Sequence, residues 1–314
     1  MPYTTGRMIL ARGTTTTWKI CNSQKYAAGG TAWEIDINTA GTFTLLSTGT
    51  VDVDVYWGDG DVETVTTNSV AHVYPSAGTY TIGIVINSGE FRPYWPNSQS
   101  GDEIITLGDT PDGWSFGTLM NDAFNGSANL TTIGNIDTSA VTNFQNTWRA
   151  CPALTSFPLI DTSNVVNFNS AWYASGVTSM PDLNFSSGSN FGNAWRNCGN
   201  LTSFPALSPS NRPTAATTFV TAWYSNVSLT DFPANIFDTT GALVSNAFSA
   251  AFRYCALSAQ SIENILVSLD TNGATGVALN INDGTNAPKT TWSAAANTAY
   301  DNLIAKSWTI TFTP

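Results

Sequence analysis

The chain has 314 residues and a net charge of −11, from 11 basic and 22 acidic side chains around a single histidine. Only 11% of it is charged, against about 25% in an ordinary soluble domain, while 42% is hydrophobic and tryptophan alone numbers 11. Such a chain folds around aromatics behind a Thr/Ser/Asn/Gly surface; its acidity excludes nucleic-acid phosphate as a partner, and its shortage of His and Lys argues against acid–base catalysis.

Residues 1–30 are Thr-rich and without a period, and read as an N-terminal arm. They contain no apolar stretch long enough for a signal-peptide core. The longest apolar-leaning run, Tyr80–Ile86, is far shorter than the ~20 residues of a membrane span. No membrane insertion is expected, and the protein is expected either to act where it is made or to leave the cell inside a particle.

Residues 31–88 alternate in period two through Val51, Val53 and Val55, turn at Gly58-Asp-Gly60, and resume at Val62 and Val65. Short strands with turn signals between them predict a small β-sandwich. The Trp57-Gly-Asp-Gly60 turn, with His72-Val-Tyr74 and Gly78-Thr-Tyr-Thr-Ile82, resembles a PKD-type immunoglobulin-like domain. The resemblance implies a spacer or binding module without catalysis. Asp52, Asp54, Asp59 and Asp61 cluster in the same segment. Calcium takes such carboxylates, but Tyr56 stands where an EF-hand loop needs an oxygen ligand. Strand alternation that turns Asp52 and Asp54 outward explains the pattern without an ion, and an ion site is the alternative.

Residues 89–116, with Pro93, Pro96 and Pro111, read as a connector. Gly113-Trp-Ser-Phe-Gly117 matches the G-x-S-x-G nucleophile pattern. That elbow needs a histidine partner downstream, and the only histidine, His72, lies upstream in the β-segment.

Residues 117–256 repeat. Phe144, Phe168, Phe191, Phe219 and Phe248 recur, each followed four residues later by Trp148, Trp172, Trp195, Trp223 or Phe252, with Phe124 opening the series. Further slots hold Leu130, Leu154, Val177, Leu201 and Leu229, then Ile133, Phe157, Met180, Phe204 and Phe232. Steps of roughly 23–29 residues with fixed apolar slots predict a solenoid of stacked rungs. Phe144, Trp148 and Cys151 have the spacing of one face of a short helical segment. Asp161-Thr-Ser-Asn164 is a turn whose side chains bond their own backbone. Cys151, Cys198 and Cys255 share one slot, held elsewhere by Ser127, Ser175 and Asn226, and read as buried free thiols; Cys21 lies apart from them. The sequons at Asn129, Asn200 and Asn226 are by-products of the Asn-Leu-Thr phrase.

The phrases Trp148-Arg-Ala-Cys-Pro-Ala-Leu-Thr-Ser-Phe-Pro and Asp161-Thr-Ser-Asn-Val-Val-Asn-Phe resemble BspA-type leucine-rich repeats. The resemblance is looser at 184–191 and lengthened at 208–219 and 235–248. It implies adhesion or interaction, of the kind found in bacterial surface proteins and phage virion proteins.

The slot directly after the second aromatic reads Asn125, Arg149, Tyr173, Arg196, Tyr224, Arg253. If one face presents it, guanidinium and phenol alternate and cation–π stacking between rungs follows. The ladder either braces the stack or makes a contact stripe, since Arg and Tyr are favoured interface residues.

In residues 257–314, Ser258–Leu269 has helical apolar spacing behind a Ser N-cap, Gly276–Ile281 is strand-like, Thr291–Lys306 is a second helix and Trp308–Phe312 a final strand. This unit suits the terminal cap that a solenoid needs. The fold expected is mainly β with short helices: a PKD-like β-sandwich, a leucine-rich-repeat-like solenoid and a small α/β C-terminal cap. The function expected is a non-enzymatic structural or adhesion protein on the exterior of a tailed-phage virion, as a capsid decoration or a tail or head fibre. Its partners would be capsid or tail proteins, a host-surface glycan or protein, or a second copy of the chain in a homo-oligomer. A bacterial cell-surface adhesin is the alternative, and a polysaccharide-degrading enzyme ranks third. No catalytic residue, metal ligand or cofactor is assigned.

Overall fold

Alternating apolar residues form strands because one face of each can be buried, and Val51, Val53 and Val55 do so while Asp52, Asp54 and Tyr56 point outward. A computed structural model describes residues 32–39, 41–48, 51–89, 91–94, 104–110 and 116–314. The arm read over 1–30, Cys21 and Ser115 of the nucleophile pattern lie outside the described residues. The described chain is mainly β, with strands β1 (Trp33–Thr39), β2 (Thr42–Leu46), β3 (Val51–Tyr56), β4 (Val62–Val65), β5 (Ser69–Val73), β6 (Gly78–Gly89), β7 (Ile104–Leu107), β8 (Thr132–Ile133), β9 (Ala278–Ile281) and β10 (Thr309–Phe312), and helices α1 (Ala259–Asn272) and α2 (Ala294–Ala305).

One sheet runs β4-β3-β6-β1-β7-β8, and β2 pairs with β5 in a second. The central β6 is long enough to pair with β1 through its first half and β3 through its second. Ile35, Ile37, Val53, Val55, Ile82 and Ile84 share one buried core with Phe43, Leu45, Trp57 and Tyr74. Asp36, on the outer face of β1, accepts hydrogen bonds from Thr81 on β6 (2.6 Å) and Thr106 on β7 (2.9 Å). Gly58 has φ +85°, and a Cβ there would lie 2.5 Å from the Thr81 carbonyl oxygen, so this turn admits only glycine. The segment 89–116 is not simply a connector. Ile104 to Leu107 is a strand, antiparallel to β1 and parallel to β8, and β8 belongs to the first rung of the repeats. The sheet therefore runs on into the stack and covers its first end.

From Met120 onward the aromatic slots stack rung on rung. The Trp148, Trp172, Trp195, Trp223 and Phe252 rings follow one another at 5.8, 5.4, 5.3 and 4.9 Å, nearly parallel to one another. Beside them Phe168, Phe191, Phe219 and Phe248 stack at 5.0–5.1 Å. Phe185 and Phe237, outside the repeated slots, pack edge-on against both columns.

The Phe144–Cys151 segment and its counterparts are not helical. Their backbones are consecutive turns with left-handed residues at two fixed places: Asn146 and Ala150, Ser170 and Ala174, Asn193 and Asn197, Thr221 and Ser225. The alternation sends every second N–H sideways. Phe144, Asn146, Trp148 and Ala150 donate to the carbonyls of Asn167, Asn169, Ala171 and Tyr173 in the next rung, while Thr147 and Arg149 close three-residue-back turns. An α-helix would spend all these donors internally and leave none to join the rungs. Non-glycine residues sit in the left-handed region at a cost of about 1–2 kcal/mol each. Replacing Ala174, at φ 55°, by glycine is therefore expected to stabilise the protein by about 0.5–1 kcal/mol, read as a raised midpoint in urea unfolding. An unchanged or lowered midpoint would contradict it.

The slot cysteines also have a structural task. Cys151, Cys198 and Cys255 form no disulfide, and their thiols donate to the carbonyls of Phe124 (3.2 Å), Trp172 (2.9 Å) and Trp223 (3.0 Å) one rung back. Burial pushes Cys198 up to about 11 and Cys255 to about 12. Because the thiolate is the nucleophile, these three thiols are expected to resist an aromatic disulfide reagent at pH 8 until the chain is unfolded. Peptide mass mapping of the labelled protein checks this.

At the other end, β9 takes the place of another rung, accepting the N–H groups of Phe248 and Phe252 at Ala278 and Asn280. β10 pairs parallel to it. Helix α1 starts at Ser258, whose side chain accepts from Ser261 N–H, and ends at left-handed Gly273. It buries Ile262, Ile265, Leu266 and Leu269. Ser261 and Ser268 on the same helix accept the backbone N–H groups of Phe232 and Phe237 (both 2.8 Å), closing the open edge of the preceding rung. Helix α2 packs on α1, with Lys306 bonded to Asp270 at 2.6 Å. The Lys289 ammonium lies 3.5 Å from the Tyr300 ring centre and is flanked by Phe312 and Trp292.

Candidate functional site

The slot after the second aromatic does reach one face. Arg149 lies 5.0 Å over the Tyr173 ring and Arg196 5.6 Å over the same ring, so both faces of that phenol are covered. Arg196 also lies 4.8 Å over Tyr224. The order Arg149, Tyr173, Arg196, Tyr224 is thus a continuous cation–π column, each member half-buried. It departs from the sequence expectation at Arg253. That guanidinium turns to Asp283, with Nε at 2.8 Å and Nη2 at 2.6 Å, and stacks on Tyr254. The Asp283 hydrogen bond holds Arg253 above its ordinary value. Tyr224 meets Tyr254 edge-on at 5.4 Å. Asn125, heading the slot, is buried and accepts from Arg149 Nη1 at 3.5 Å.

Arg196 Nη1 donates to Asn193 (3.2 Å), and its Nε is buried without a partner. No carboxylate pairs with Arg149 or Arg196 among the described residues. Asp122 accepts from Asn125 and Asn146, one side chain removed from Arg149, while Asp137 and Asp161 accept from the backbone N–H two residues on, at Ser139 and Ser163, as turn-makers. What sequence reasoning missed is the neighbouring polar column. Asn125 and Asn193 bond the two guanidiniums, and Asn143, Asn167 and Asn190 each accept from the N–H group two residues ahead. The Asn-x-Gln/Asn/Gly spacing carried that signal.

The acidic cluster resolves differently. Asp59, Asp61 and His72 come together, with ligand atoms within 4.8 Å of one another, whereas Asp52 and Asp54 do not join them. Asp52 accepts from Ser88 and Asn87, and Asp54 from Thr64. Asp59 Oδ2 is 2.7 Å from His72 Nε2, and its Oδ1 accepts from Asp61 N–H. His72 is stacked on Trp57 at 4.7 Å, with Tyr74 edge-on at 4.6 Å and the Tyr74 hydroxyl bonded to the Trp57 carbonyl. These partners make Asp59 and His72 a strut between the β3–β4 turn and β5.

Burial pushes the Asp59 carboxyl up, but the His72 and Asp61 hydrogen bonds outweigh it and hold the group below its usual range. Asp182, bonded by Ser208 and Asn211, and Asp270, bonded by Lys306 and Asn302, are lowered in the same way against burial. A carboxyl lowered by folding stabilises the native state above its unfolded value of about 3.9, and that stability is lost as pH falls through the native value. Thermal melting followed by circular dichroism is expected to hold between about pH 7 and 5 and to fall steeply below about pH 4. A melting temperature that rose below that point would contradict these assignments.

No family model matches the chain, and no curated protein or solved structure matches it at a significant level. The site's chemistry therefore rests on its geometry. The sequon asparagine Asn226 is fully buried, which closes it to a glycan. No helix of the described residues is long and apolar enough to cross a membrane.

Proposed function

We propose that the chain is a non-enzymatic structural and adhesion protein of the exterior of a tailed-phage virion. In this reading a PKD-like β-sandwich leads into a BspA-like, leucine-rich-repeat solenoid, closed by the C-terminal α/β cap. The observation that carries it is the column of Arg149, Tyr173, Arg196 and Tyr224, a repetitive polar face held on an aromatic stack whose successive rungs are bonded backbone to backbone. Rigid stacks of this kind present extended contact surfaces, and Arg and Tyr are the side chains that most often dominate contacts. The low-charge Thr/Asn exterior suits assembly into a particle, with the arm over 1–30 as the anchor and capsid or tail proteins as partners. Whether a second copy joins it is a matter for sedimentation analysis of the full chain.

Immunogold labelling with antibodies to the full chain tests the reading. Labelled capsids, tails or fibres on intact tailed particles are the expected result. Label confined to the envelope of uninfected bacteria would replace it with the adhesin reading. Release of oligosaccharides from envelope glycans by the purified chain would replace it with a polysaccharide-degrading enzyme.

A further inference from the structure

We propose that the column Arg149–Tyr173–Arg196–Tyr224 is the docking stripe for a linear acidic polysaccharide carrying a carboxylate on every second sugar, with successive carboxylates seated on Arg149 and Arg196. The inference rests on the surface-adhesion reading and names the ligand of that same face.

Charge is the first argument. In a chain of net charge −11, neither guanidinium has an acid within ion-pair distance among the described residues, whereas Arg253 in the same slot is already paired with Asp283. A half-buried cation without an acid partner can take an anion from outside, and a guanidinium fork matches a carboxylate with two parallel bonds. Preorganisation is the second. Each guanidinium is held over a tyrosine ring and commits one N–H to an asparagine, so its position is fixed before any ligand arrives. Both faces of Tyr173 are occupied, so a sugar ring meets the column along its edge, through N–H and O–H groups, and does not stack on it.

The neighbours decide between kinds of anion. The protein groups bonded to the two guanidiniums, Asn125 and Asn193, are neutral amides, which suit sugar hydroxyls better than a densely charged phosphate chain. Arg149 and Arg196 stand two rungs apart, roughly 10 Å at strand spacing, which is the length of a disaccharide repeat. The protein's overall negative charge opposes a polymer with an anion on every unit.

Calorimetric titration of the full chain with hyaluronan and unsulfated chondroitin oligosaccharides of defined length, and with the same oligomers after reduction of their carboxyls to alcohols, tests this. At least one acidic series is expected to bind, more tightly once an oligomer carries two uronates, and to weaken with salt. The reduced oligomers are expected not to bind. The double variant Arg149→Gln with Arg196→Gln is expected to weaken binding roughly tenfold or more, and Arg253→Gln to leave it nearly unchanged. Should the double variant melt early, Arg149→Lys with Arg196→Lys keeps charge and stacking and is expected to bind at an intermediate level. No binding in either acidic series, equal binding after reduction, or undiminished binding by a folded double variant would overturn the assignment. If the unvaried chain is found on particles yet binds neither series, this inference fails while the surface reading stands. If label is absent from particles but the oligomers bind through Arg149 and Arg196, the reverse holds.

Discussion

Replacing Trp195 by alanine is expected to lower the unfolding free energy by about 3–5 kcal/mol, the range for deleting a buried large aromatic. Trp195 is 1% exposed, lies between Trp172 and Trp223 at 5.4 and 5.3 Å, and is met edge-on by Phe185 and Phe204. The turn segments carrying Trp172 and Trp223 are each joined to its own by four backbone hydrogen bonds, so the backbone cannot collapse into the space left behind. Guanidinium unfolding followed by tryptophan fluorescence gives the number. The conservative change Trp195→Phe should cost far less, because the indole Nε1 is buried without an acceptor and Phe252 fills the same slot in the last rung. A Trp195→Ala loss below about 1 kcal/mol would mean that the stack relaxes, contrary to a close-packed interior.

The second large effect is expected at Asn286. Its side chain is 2% exposed, accepts from the Leu257 N–H at 2.9 Å, and donates to the carbonyls of Phe252 (2.9 Å) and Ile281 (3.3 Å). It is therefore the amide that ties the last rung, the start of α1 and β9 together. Asn286→Leu removes all three bonds and leaves buried backbone groups unsatisfied, at about 1–3 kcal/mol for each group. We expect a drop of about 3–5 kcal/mol in total, comparable with breaking a buried polar network. Hydrogen exchange should show the loss first in β9 and at the Phe252 rung. Uniform loss across the chain would instead place the weak point elsewhere.

These two residues differ in how far the sequence revealed them. Trp195 was legible from the repeat, because a large aromatic recurring four residues after a phenylalanine has no other use than a stacked column. Asn286 was not, because an asparagine after a Gly-Thr pair reads as a turn, and only the return of the chain to Phe252 gives it three backbone partners. Ser261 and Ser268 are the same case on α1: helical spacing picked out Ile262 and Leu269, while the serines that close the rung edge carry no periodic signal.

The column at Arg149, Tyr173 and Arg196 was legible as a slot, and its alternation predicted the stacking found. Its break at Arg253 was not, since it depends on Asp283 arriving from the cap. The helical reading of Phe144 to Cys151 failed for an instructive reason: the i, i+4, i+7 spacing fits a helix and a run of alternating turns equally, and local spacing cannot say which N–H groups a neighbouring rung will claim. The strand at 104–107 was hidden likewise, because its four residues extend a sheet only once β1 and the first rung are in place.

The sequence by itself determined the period, the aromatic slots, the buried thiols, both helices with the serine cap of the first, and the outward turn of Asp52 and Asp54. These follow from local spacing and side-chain chemistry. Only the tertiary structure decided where backbone donors go, which charges find partners, and which face keeps two guanidiniums without an acid. Those outcomes depend on groups far apart in the chain, and no periodicity records them.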